Sequence, residues 1–490
     1  MAGRSRRRLT LVPAAAVACA LAALLNTAAW TIIVPAFQVP DEPAHYAYTE
    51  YLVQHGKPPR AGPQDHFSSS EEQALAALRF EQVRFMVDNG TIWTTSDQTG
   101  MRELLDADER RADGNGGARE TASEPPLFYA LQALPYELGS GGTLLARLTL
   151  MRLCSALLAG VTVLFVFLFL REALPAVPEA WTVGALGVAF APMFAFMSSG
   201  VNSDALLYAS SAALFYLLAR AFRRGLDARL AVAVGAALGA GLMTKFNALG
   251  LVPGTALALL LISVRQQRPP GLRSLVLPAL ALGVATVPVA LEMALNATVW
   301  DRPVVGATAS NFRTTAVHPA IGPLLSYMWQ FYVTPLPGMT RHFISVPFRD
   351  LWIDGFVGSF GWVEVKFRPA VYAVAHVLLA AIALLAGRAL VATGRRRRAR
   401  RSELLSYAAL ALGVMGFVAV ASYISYLRFH ASIAQIRYLF PLLPLYGAVL
   451  ALAARGAGRR LAPIAGTAIV VLAIAHNVFS QLVVIVRYYA

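Results

Sequence analysis

The sequence predicts an all-α, polytopic membrane protein with about eleven membrane-spanning helices. Of its 490 residues, 57% are hydrophobic and 14% are charged, whereas a soluble domain carries about a quarter charged residues. The apolar residues come in blocks of about twenty, the length that crosses a hydrocarbon core of about 30 Å. Backbone N–H and C=O groups inside lipid must be hydrogen-bonded within the chain, so these blocks are predicted to be helices.

The distribution of charge predicts the orientation in the membrane. The formal net charge is +15, yet 17 of the 27 acidic residues lie between Asp41 and Glu137. The basic residues gather in short segments between apolar blocks, which the positive-inside rule assigns to the cytoplasm. We therefore expect a multi-pass protein of the plasma (inner) membrane with a cytoplasmic N-terminus. Its basic excess does not indicate a nucleic-acid partner.

Two of the apolar stretches allow more than one membrane topology. Residues 9–37 follow a cluster of arginines, and the run is too long, and too poor in cleavage signals, for a removable signal peptide. We expect a membrane anchor there. The stretch 230–264 is too long for one span, and two short spans turning outside near Lys245 keep the later arginine clusters in the cytoplasm. The other predicted spans cover residues 143–170, 181–199, 204–222, 274–296, 369–393, 403–427, 438–455 and 461–487.

Two long loops are predicted outside the cytoplasm, and together with the spans they form a single domain over residues 1–490. The first loop, 38–142, is acidic, and within it residues 71–87 have the pattern of a helix with one apolar side. Such a helix can lie on the membrane surface. The second loop, 297–367, is rich in aromatic residues and proline, which suits the membrane interface.

Charged residues converge on the predicted outer face. Asp41 and Glu42 follow the first span directly, and His45 lies four residues after Asp41, so Asp41 would cap a helix whose face carries His45. The other outer turns supply further polar residues, namely Asn202, Asp204, Lys245, Arg437 and Tyr438. Helix capping, snorkelling and interface anchoring would each explain one of them. Ionisable groups at membrane depth more often mark a site.

This combination of residues suggests a chemistry. A carboxylate near the outer lipid surface can take the proton of an incoming hydroxyl. Arginine binds a phosphate through a bidentate fork and lysine binds it as a point charge. A transfer from a lipid-linked phosphate donor to a water-exposed acceptor needs both functions at this height. The sequence contains no Walker loop and no glycine-rich nucleotide fingerprint.

Several motifs along the chain resemble those of the GT-C superfamily of membrane glycosyltransferases. They are most similar to a bacterial family of predicted membrane proteins of unknown function that is grouped with it. The motifs occur in the family's order and are Pro40 to Leu52 (PDEPAHYAYTEYL), Glu124 to Tyr129 (EPPLFY), Ser199 to Asp204 (SGVNSD), Trp329 to Tyr332 (WQFY), Leu336 to Gly338 (LPG), Ser359 to Trp362 (SFGW) and Gln435 to Tyr438 (QIRY). Two positions depart from the family pattern: Glu124 stands where a His is usual, and Ile436 where a Gly is usual.

The resemblance implies a GT-C-like fold, an extracytoplasmic active site and inverting transfer from a polyprenyl-phosphate-linked sugar to a glycan, lipid or protein acceptor. It implies Asp41 as the catalytic base, with Glu42 as second choice, and leaves open a divalent metal (Mg or Mn) near Asp41. Arg437 and Lys245 would bind the donor phosphate. The supporting or acceptor-binding residues would be His45, Tyr48, Glu124, Asn202, Asp204 and Tyr438, with His45 and Glu42 orienting the base.

Two other classes of function stay open. A transporter or lipid-linked sugar flippase would place charged residues at mid-membrane on broken helices, often in two related halves. The sequence has no matching halves, although the short hairpin at 230–264 suits a transporter. A non-catalytic partner in cell-envelope assembly would tolerate the loss of charge at Asp41.

Overall fold

The computed structural model describes nine stretches of the chain, and within them the protein is almost entirely helical. These stretches are residues 12–60, 67–84, 94–107, 121–266, 271–304, 320–340, 346–392, 400–430 and 434–490. The N-terminal arginine cluster lies outside the described residues, as does most of the basic run at 395–401. The prediction of an all-α membrane protein is confirmed.

Up to Ser198, the residues that the structure describes form nine helices. They are α1 (Ala14–Ile33), α2 (Glu42–His55), α3 (Ser69–Ala77), α4 (Phe80–Val83), α5 (Thr95–Ala107), α6 (Leu127–Leu138), α7 (Leu144–Ala173), α8 (Pro178–Ala189) and α9 (Pro192–Ser198).

In the rest of the described chain, ten helices and an antiparallel hairpin of two-residue strands follow. They are α10 (Asp204–Arg224), α11 (Ala228–Leu242), α12 (Leu251–Gln266), α13 (Val276–Thr298), α14 (Ile321–Tyr332), α15 (Gly355–Val357), the antiparallel strands β1 (Ser359–Phe360) and β2 (Val365–Lys366), α16 (Pro369–Ala392), α17 (Arg401–Phe429), α18 (Leu443–Gly456) and α19 (Ala462–Tyr489). Short 3₁₀ helices precede three of these, at Phe246–Gly250, Leu272–Leu275 and Ile436–Leu442, and Arg349–Asp354 is a π-helical turn.

Nine helical segments of the described chain are long and apolar enough to cross a membrane. Helices α8 and α9 form a tenth, bent by 57°. Helix α11 has 15 residues, which at about 1.5 Å per residue is shorter than a hydrocarbon core. The predicted number of about eleven is reached only when the bent pair and this short helix are both counted. The expected break near Lys245 is present, because α11 ends at Leu242 and α12 begins at Leu251.

Close backbone contacts hold the spanning helices together. A Cβ on Gly184 would lie 2.4 Å from the carbonyl oxygen of Gly447, and one on Gly413 would lie 2.1 Å from that of Gly250. Helices in lipid associate through small residues of this kind, since lipid tails provide no hydrophobic drive for helix association. Helix α7 packs against both α1 and α10. Together they bring one end of each of three spans beside the first loop.

The first long loop has a core of its own, built on α2 and α6. Tyr46, Tyr48 and Tyr129 are buried there with Phe37 and Phe128. The predicted single helix over 71–87 is wrong, because it breaks at Arg79 into α3 and α4. Its apolar side joins the loop core instead of lying free for lipid. Residues 85–87 lie outside the described part of the chain.

Candidate functional site

Asp41 lies in a strained turn between the first span and α2. Its φ is +65°, a left-handed conformation that non-glycine residues rarely adopt and that costs about 1–2 kcal/mol. Asp41 occupies the position before the first residue of α2, as predicted, but its side chain makes no capping hydrogen bond. The expected capping role is therefore wrong. The carboxylate instead keeps 27% of its side-chain surface exposed and faces Arg437.

Arg437 comes from the tight helical turn that precedes α18, nearly four hundred residues later. Its side chain is 4% exposed, and its Nη2 lies 2.5 Å from Asp41 Oδ2. Its Nε lies 3.8 Å from Asp204 Oδ2. The Tyr208 hydroxyl donates a hydrogen bond to the backbone oxygen of Arg437 at 3.3 Å, and the Tyr438 ring lies 5.2 Å from the guanidinium carbon. Arg437 Nη1 has no hydrogen-bond partner among the described residues.

Lys245 extends this arrangement from the break between α11 and α12. Its Nζ lies 2.8 Å from Asp204 Oδ1 and 3.6 Å from Glu124 Oε1. Five ionisable side chains thus form a continuous chain of contacts, which we call the Asp41–Arg437 cluster: Asp41, Arg437, Asp204, Lys245 and Glu124. The structure therefore brings together Asp41, Asp204, Lys245 and Arg437, which the topology places on one face. It leaves out Glu42, predicted on the same face, and adds Glu124.

Asn202 connects the turn before α10 to the turn that carries Asp41. Its Nδ2 donates to the carbonyl oxygen of Pro40 at 3.1 Å, and its Oδ1 accepts from the backbone N–H of Asp204 at 3.0 Å. Asn202 has no exposed surface. One buried amide therefore sets the spacing between the segments that carry two acids of the cluster.

The side chains of His45 and Tyr48 contact Glu124 and its neighbours rather than Asp41. Tyr129 donates from its hydroxyl to Glu124 Oε2 at 2.7 Å, and His45 Nδ1 lies 2.9 Å from the same hydroxyl. Tyr48 stacks on Tyr129 with ring centroids 3.5 Å apart and donates to the backbone oxygen of Glu124. The orientation of Asp41 by His45 stays a prediction: the His45 imidazole contacts Tyr129, and its backbone N–H donates to the carbonyl oxygen of Asp41 at 3.1 Å. These three rings hold Glu124, which stands at the family's usual His position, against Lys245.

Burial and neighbouring charge shift the pKa values of two groups in this loop. Burial opposes ionisation of Asp41, but the Arg437 guanidinium prevails and holds the pKa of that carboxyl below its usual range. Burial, reinforced by Lys245, lowers the pKa of His45 to about 3. At neutral pH Asp41 is therefore a carboxylate and His45 is a neutral imidazole. A neutral His45 can donate from Nδ1 to the Tyr129 oxygen, whose own proton points to Glu124.

The residues around Asp41 do not fit a divalent metal. In the described chain, no group of three His, Cys, Asp or Glu side chains lies close enough to share an ion. Asp41 and Asp204 both contact the Arg437 guanidinium. A Mg²⁺ or Mn²⁺ ion between them would have to displace that cation.

A family model described as "Predicted membrane protein (DUF2142)" matches residues 24–446. The chain belongs to the DUF2142 family. The matched region contains every residue of the Asp41–Arg437 cluster, and the resemblance to a predicted-membrane-protein family is confirmed. No curated protein matches the chain significantly.

Two solved structures resemble this DUF2142 chain. Both are the Archaeoglobus fulgidus oligosaccharyltransferase, one in the apo form and one tethered to an acceptor peptide containing the NVT sequon. The TM-scores are 0.45 and 0.44, with 12% and 13% sequence identity. Each match covers 97% of this chain but only 56% or 55% of the oligosaccharyltransferase. The DUF2142 chain thus spans little more than half the length of these proteins.

Sequence reasoning about this DUF2142 chain missed Arg152. It lies in α7 with a side chain 5% exposed, and it holds Glu42 by two contacts, from Nε to Oε1 at 2.7 Å and from Nη2 to Oε2 at 2.5 Å. Arg152 also donates to the carbonyl oxygens of Val34 and Pro35 at 2.8 Å each. An arginine within a predicted span is a signal of function or structure that could have identified it.

Glu42 consequently faces away from Asp41. Its side chain has no exposed surface, and its oxygens also accept from the backbone N–H groups of Phe37 and Val201 at 2.9 Å each. Glu42 is expected to orient Asp41, but its two carboxylate oxygens already accept from Arg152 and from these two backbone N–H groups. The two residues are linked only through the backbone.

Proposed function

We propose that this protein transfers a sugar from a polyprenyl-phosphate-linked donor to a hydroxyl of a cell-envelope acceptor, on the extracytoplasmic face of the plasma membrane. One observation carries the proposal. Asp41 and Arg437 form a direct ion pair, in which the acid remains partly exposed and the buried guanidinium retains an N–H group without a partner. A partly exposed carboxylate can accept a proton, and an unsatisfied buried guanidinium can receive a phosphate oxygen.

The reaction is an inverting displacement at the anomeric carbon. The acceptor hydroxyl oxygen attacks this carbon and forms the new glycosidic bond, while Asp41 takes the hydroxyl proton. The bond from the anomeric carbon to the phosphate oxygen breaks, and its electron pair leaves with the polyprenyl phosphate. Arg437 offsets the negative charge that develops on this leaving group, which is where electrostatic stabilisation acts most strongly.

Arg437 would couple donor binding to activation of the base. In the free protein its guanidinium lowers the pKa of Asp41, and a base with a depressed pKa accepts protons poorly. A donor phosphate that pairs with Arg437 competes with Asp41 for the same cation. The pKa of Asp41 then rises towards its ordinary value, and the carboxylate becomes a better base only when the donor is in place.

The remaining residues support this arrangement. Lys245 provides a second positive charge for the phosphate, while Asp204 holds Lys245 and Arg437 in place from between them. Glu124 fixes the other side of Lys245, and its aromatic neighbours Tyr48 and Tyr129 keep it there.

Two further assignments follow from the contacts. Asn202 sets the position of the Asp41 turn through Pro40, and Tyr438 covers one face of the Arg437 guanidinium. We assign Glu42 to the support of the fold, because its carboxylate is wholly enclosed. The acid left for the chemistry is Asp41.

The test compares cells with and without the protein by mass spectrometry of their glycans and polyprenyl-phosphate sugars. We expect one lipid-linked sugar to accumulate without the protein, and one glycan to lose the same sugar. Wild-type protein should reverse both changes, and Asp41→Asn should reverse neither while reaching the membrane at the normal level. The matched control is Asp301→Asn, which neutralises a carboxylate that is 87% exposed. Full reversal by Asp41→Asn would contradict the assignment of the base.

One observation favours the alternative of a transporter or flippase. Helices α8 and α9 form a span bent by 57°, and broken helices are typical of transporter sites. A flippase would change which leaflet holds the lipid-linked sugar without joining the sugar to an acceptor. Purified protein with donor and acceptor in detergent distinguishes the two, because only a transferase forms a product where there is no bilayer to cross. A non-catalytic assembly partner would also form none.

A further inference from the structure

A polar cavity lies apart from the Asp41–Arg437 cluster, where the second long loop meets α16. Its volume is about 370 Å³, within the range of small-molecule sites. We call it the Lys366 cavity. Its polar wall comes from the π-helical turn, from β2 and from the first two turns of α16: Arg349, Asp350, Asp354, Lys366, Tyr372 and His376.

Most charges in the Lys366 cavity are paired with one another. Arg349 lies 3.1 Å from Asp350 and 3.6 Å from Asp354, and His376 Nε2 lies 2.6 Å from Asp354. Lys366 forms no ion pair with any residue that the structure describes. The Arg349 side chain is 58% exposed and the Asp350 side chain 35%. A ligand can therefore reach one unpaired ammonium and one arginine–carboxylate pair.

The cavity lies at one end of α16, the least buried of the candidate spans in the described chain. Only 6% of the most apolar window of α16 is buried by the rest of the protein. Tyr372 and His376 lie in the first eight residues of this helix, which begins at Pro369. The end of a spanning helix lies at the level of the lipid headgroups. Membrane phospholipids therefore present their headgroups at the height of this cavity.

We propose that the Lys366 cavity binds the phosphoethanolamine headgroup of a membrane phospholipid. The phosphate oxygens contact Lys366 and Arg349, and the ammonium contacts Asp350 and Asp354. The charges of two basic and two acidic side chains in this wall cancel. A zwitterionic headgroup therefore leaves the occupied site neutral, whereas an anionic headgroup would leave an uncompensated negative charge. This site does not depend on the proposed glycosyl transfer.

The experiment measures binding and thermal stability of the purified, delipidated full-length protein. The probes are short-chain phosphatidylethanolamine, phosphatidylcholine and phosphatidylglycerol, each below its micelle concentration, and free phosphoethanolamine. We expect the ethanolamine lipid to raise Tm more than the other lipids. The choline headgroup has no N–H to donate to a carboxylate, and the glycerol headgroup has no cation. Free phosphoethanolamine should have little effect, since it lacks the acyl chains that lie along α16.

Two variants locate the effect. Lys366→Gln and Asp350→Asn should each weaken binding of the ethanolamine lipid about tenfold, the loss expected for one charge-assisted hydrogen bond. Lys57→Gln, a change at an exposed lysine on the first loop, is the matched control and should bind like wild type. Native mass spectrometry of the same samples, which counts bound lipids, keeps the test valid if a variant has altered stability.

Three results would overturn the proposal. Equal stabilisation by the ethanolamine and glycerol lipids would show that no side chain binds the ammonium of the headgroup. Unchanged binding in both variants would place the lipid elsewhere. Stabilisation by free phosphoethanolamine equal to that by the lipid would assign the cavity to a soluble ligand instead.

Discussion

Asp41 and Glu42 are neighbours in the chain, yet they belong to two different regions of the molecule. Glu42 faces inward and is enclosed by Arg152 and two backbone N–H groups. Asp41 faces Arg437 with part of its carboxylate exposed. Both acids have an arginine partner that is at least 95% buried on its side chain. The two ion pairs differ in how many of their hydrogen-bonding groups have a partner.

This difference indicates which pair supports the fold and which is available for chemistry. The Glu42–Arg152 pair uses its remaining hydrogen-bonding capacity on the end of α1, where Arg152 donates to Val34 and Pro35. The Asp41–Arg437 pair leaves an N–H of Arg437 without a partner. A buried ion pair whose hydrogen-bonding groups are all satisfied gains no hydrogen bond from a ligand. A pair with an unsatisfied donor gains one when a ligand supplies the acceptor. The four predictions below separate the two regions.

The largest expected effect is on transfer, at Asp41. Asp41→Asn keeps the size of the side chain but removes the proton acceptor, so we expect the turnover rate to fall about 10²–10⁴-fold. The thermal unfolding temperature should stay close to that of wild type. Glu42→Gln should give the reverse pattern, with reduced stability and near-normal turnover per folded molecule. Equal losses of turnover in both variants would mean that the two regions do not differ as proposed.

The second effect is on stability, at Arg152. Arg152→Met leaves Glu42 as a buried charge without its cation, which destabilises a protein by about 3–5 kcal/mol. It also removes three hydrogen bonds to backbone carbonyl oxygens at the end of α1, those of Thr31, Val34 and Pro35. We expect less folded protein in the membrane and a lower unfolding temperature in detergent. A stable Arg152→Met protein would show that the enclosed pair is dispensable for the fold.

The third effect is on the pH dependence of transfer, at Arg437. Arg437 lowers the pKa of Asp41, so its removal raises that pKa and protonates the base at higher pH. Arg437→Gln should therefore shift the acidic limb of the kcat/KM profile to higher pH, and should lower the maximum about 10²-fold through lost stabilisation of the leaving group. Arg229→Gln, at an exposed arginine, should leave the profile unchanged. A lower rate with an unshifted acidic limb would show that Arg437 does not control the pKa of the catalytic base.

The smallest effect is expected at Asn202. Asn202→Ala removes the hydrogen bonds to Pro40 and to the Asp204 N–H, each worth about 0.5–1.5 kcal/mol. We expect a loss in kcat of up to about tenfold with little change in KM for the donor, because the variant misplaces Asp41 and leaves Arg437 in position. Donor titrations in membranes measure both constants. A rise in KM alone would instead place Asn202 in donor binding.

Much of the candidate site follows from sequence because topology reduces its possible arrangements. Once the number of spans is known, the ends of the spans that carry Asp41, Asp204, Lys245 and Arg437 fall on one face. Which of the side chains on that face contact one another cannot be predicted from topology. Glu124 belongs to a long loop with no topological constraint, and its pairing with Lys245 depends on the aromatic core around Tyr129. The break in the helix predicted over 71–87 also depends on this aromatic core, because the apolar side of that segment packs against it.

The sequence by itself determined the membrane architecture and the face on which the ionisable residues meet. Span length and charge bias act through the bilayer, which constrains each segment independently of the others. Only the tertiary structure decided the partner of each acid. Asp41 and Glu42 have nearly equal local surroundings in the chain, and the left-handed turn at Asp41 directs them to arginines 396 and 110 positions away. Pairing over such separations depends on how the helices pack, which no local pattern encodes.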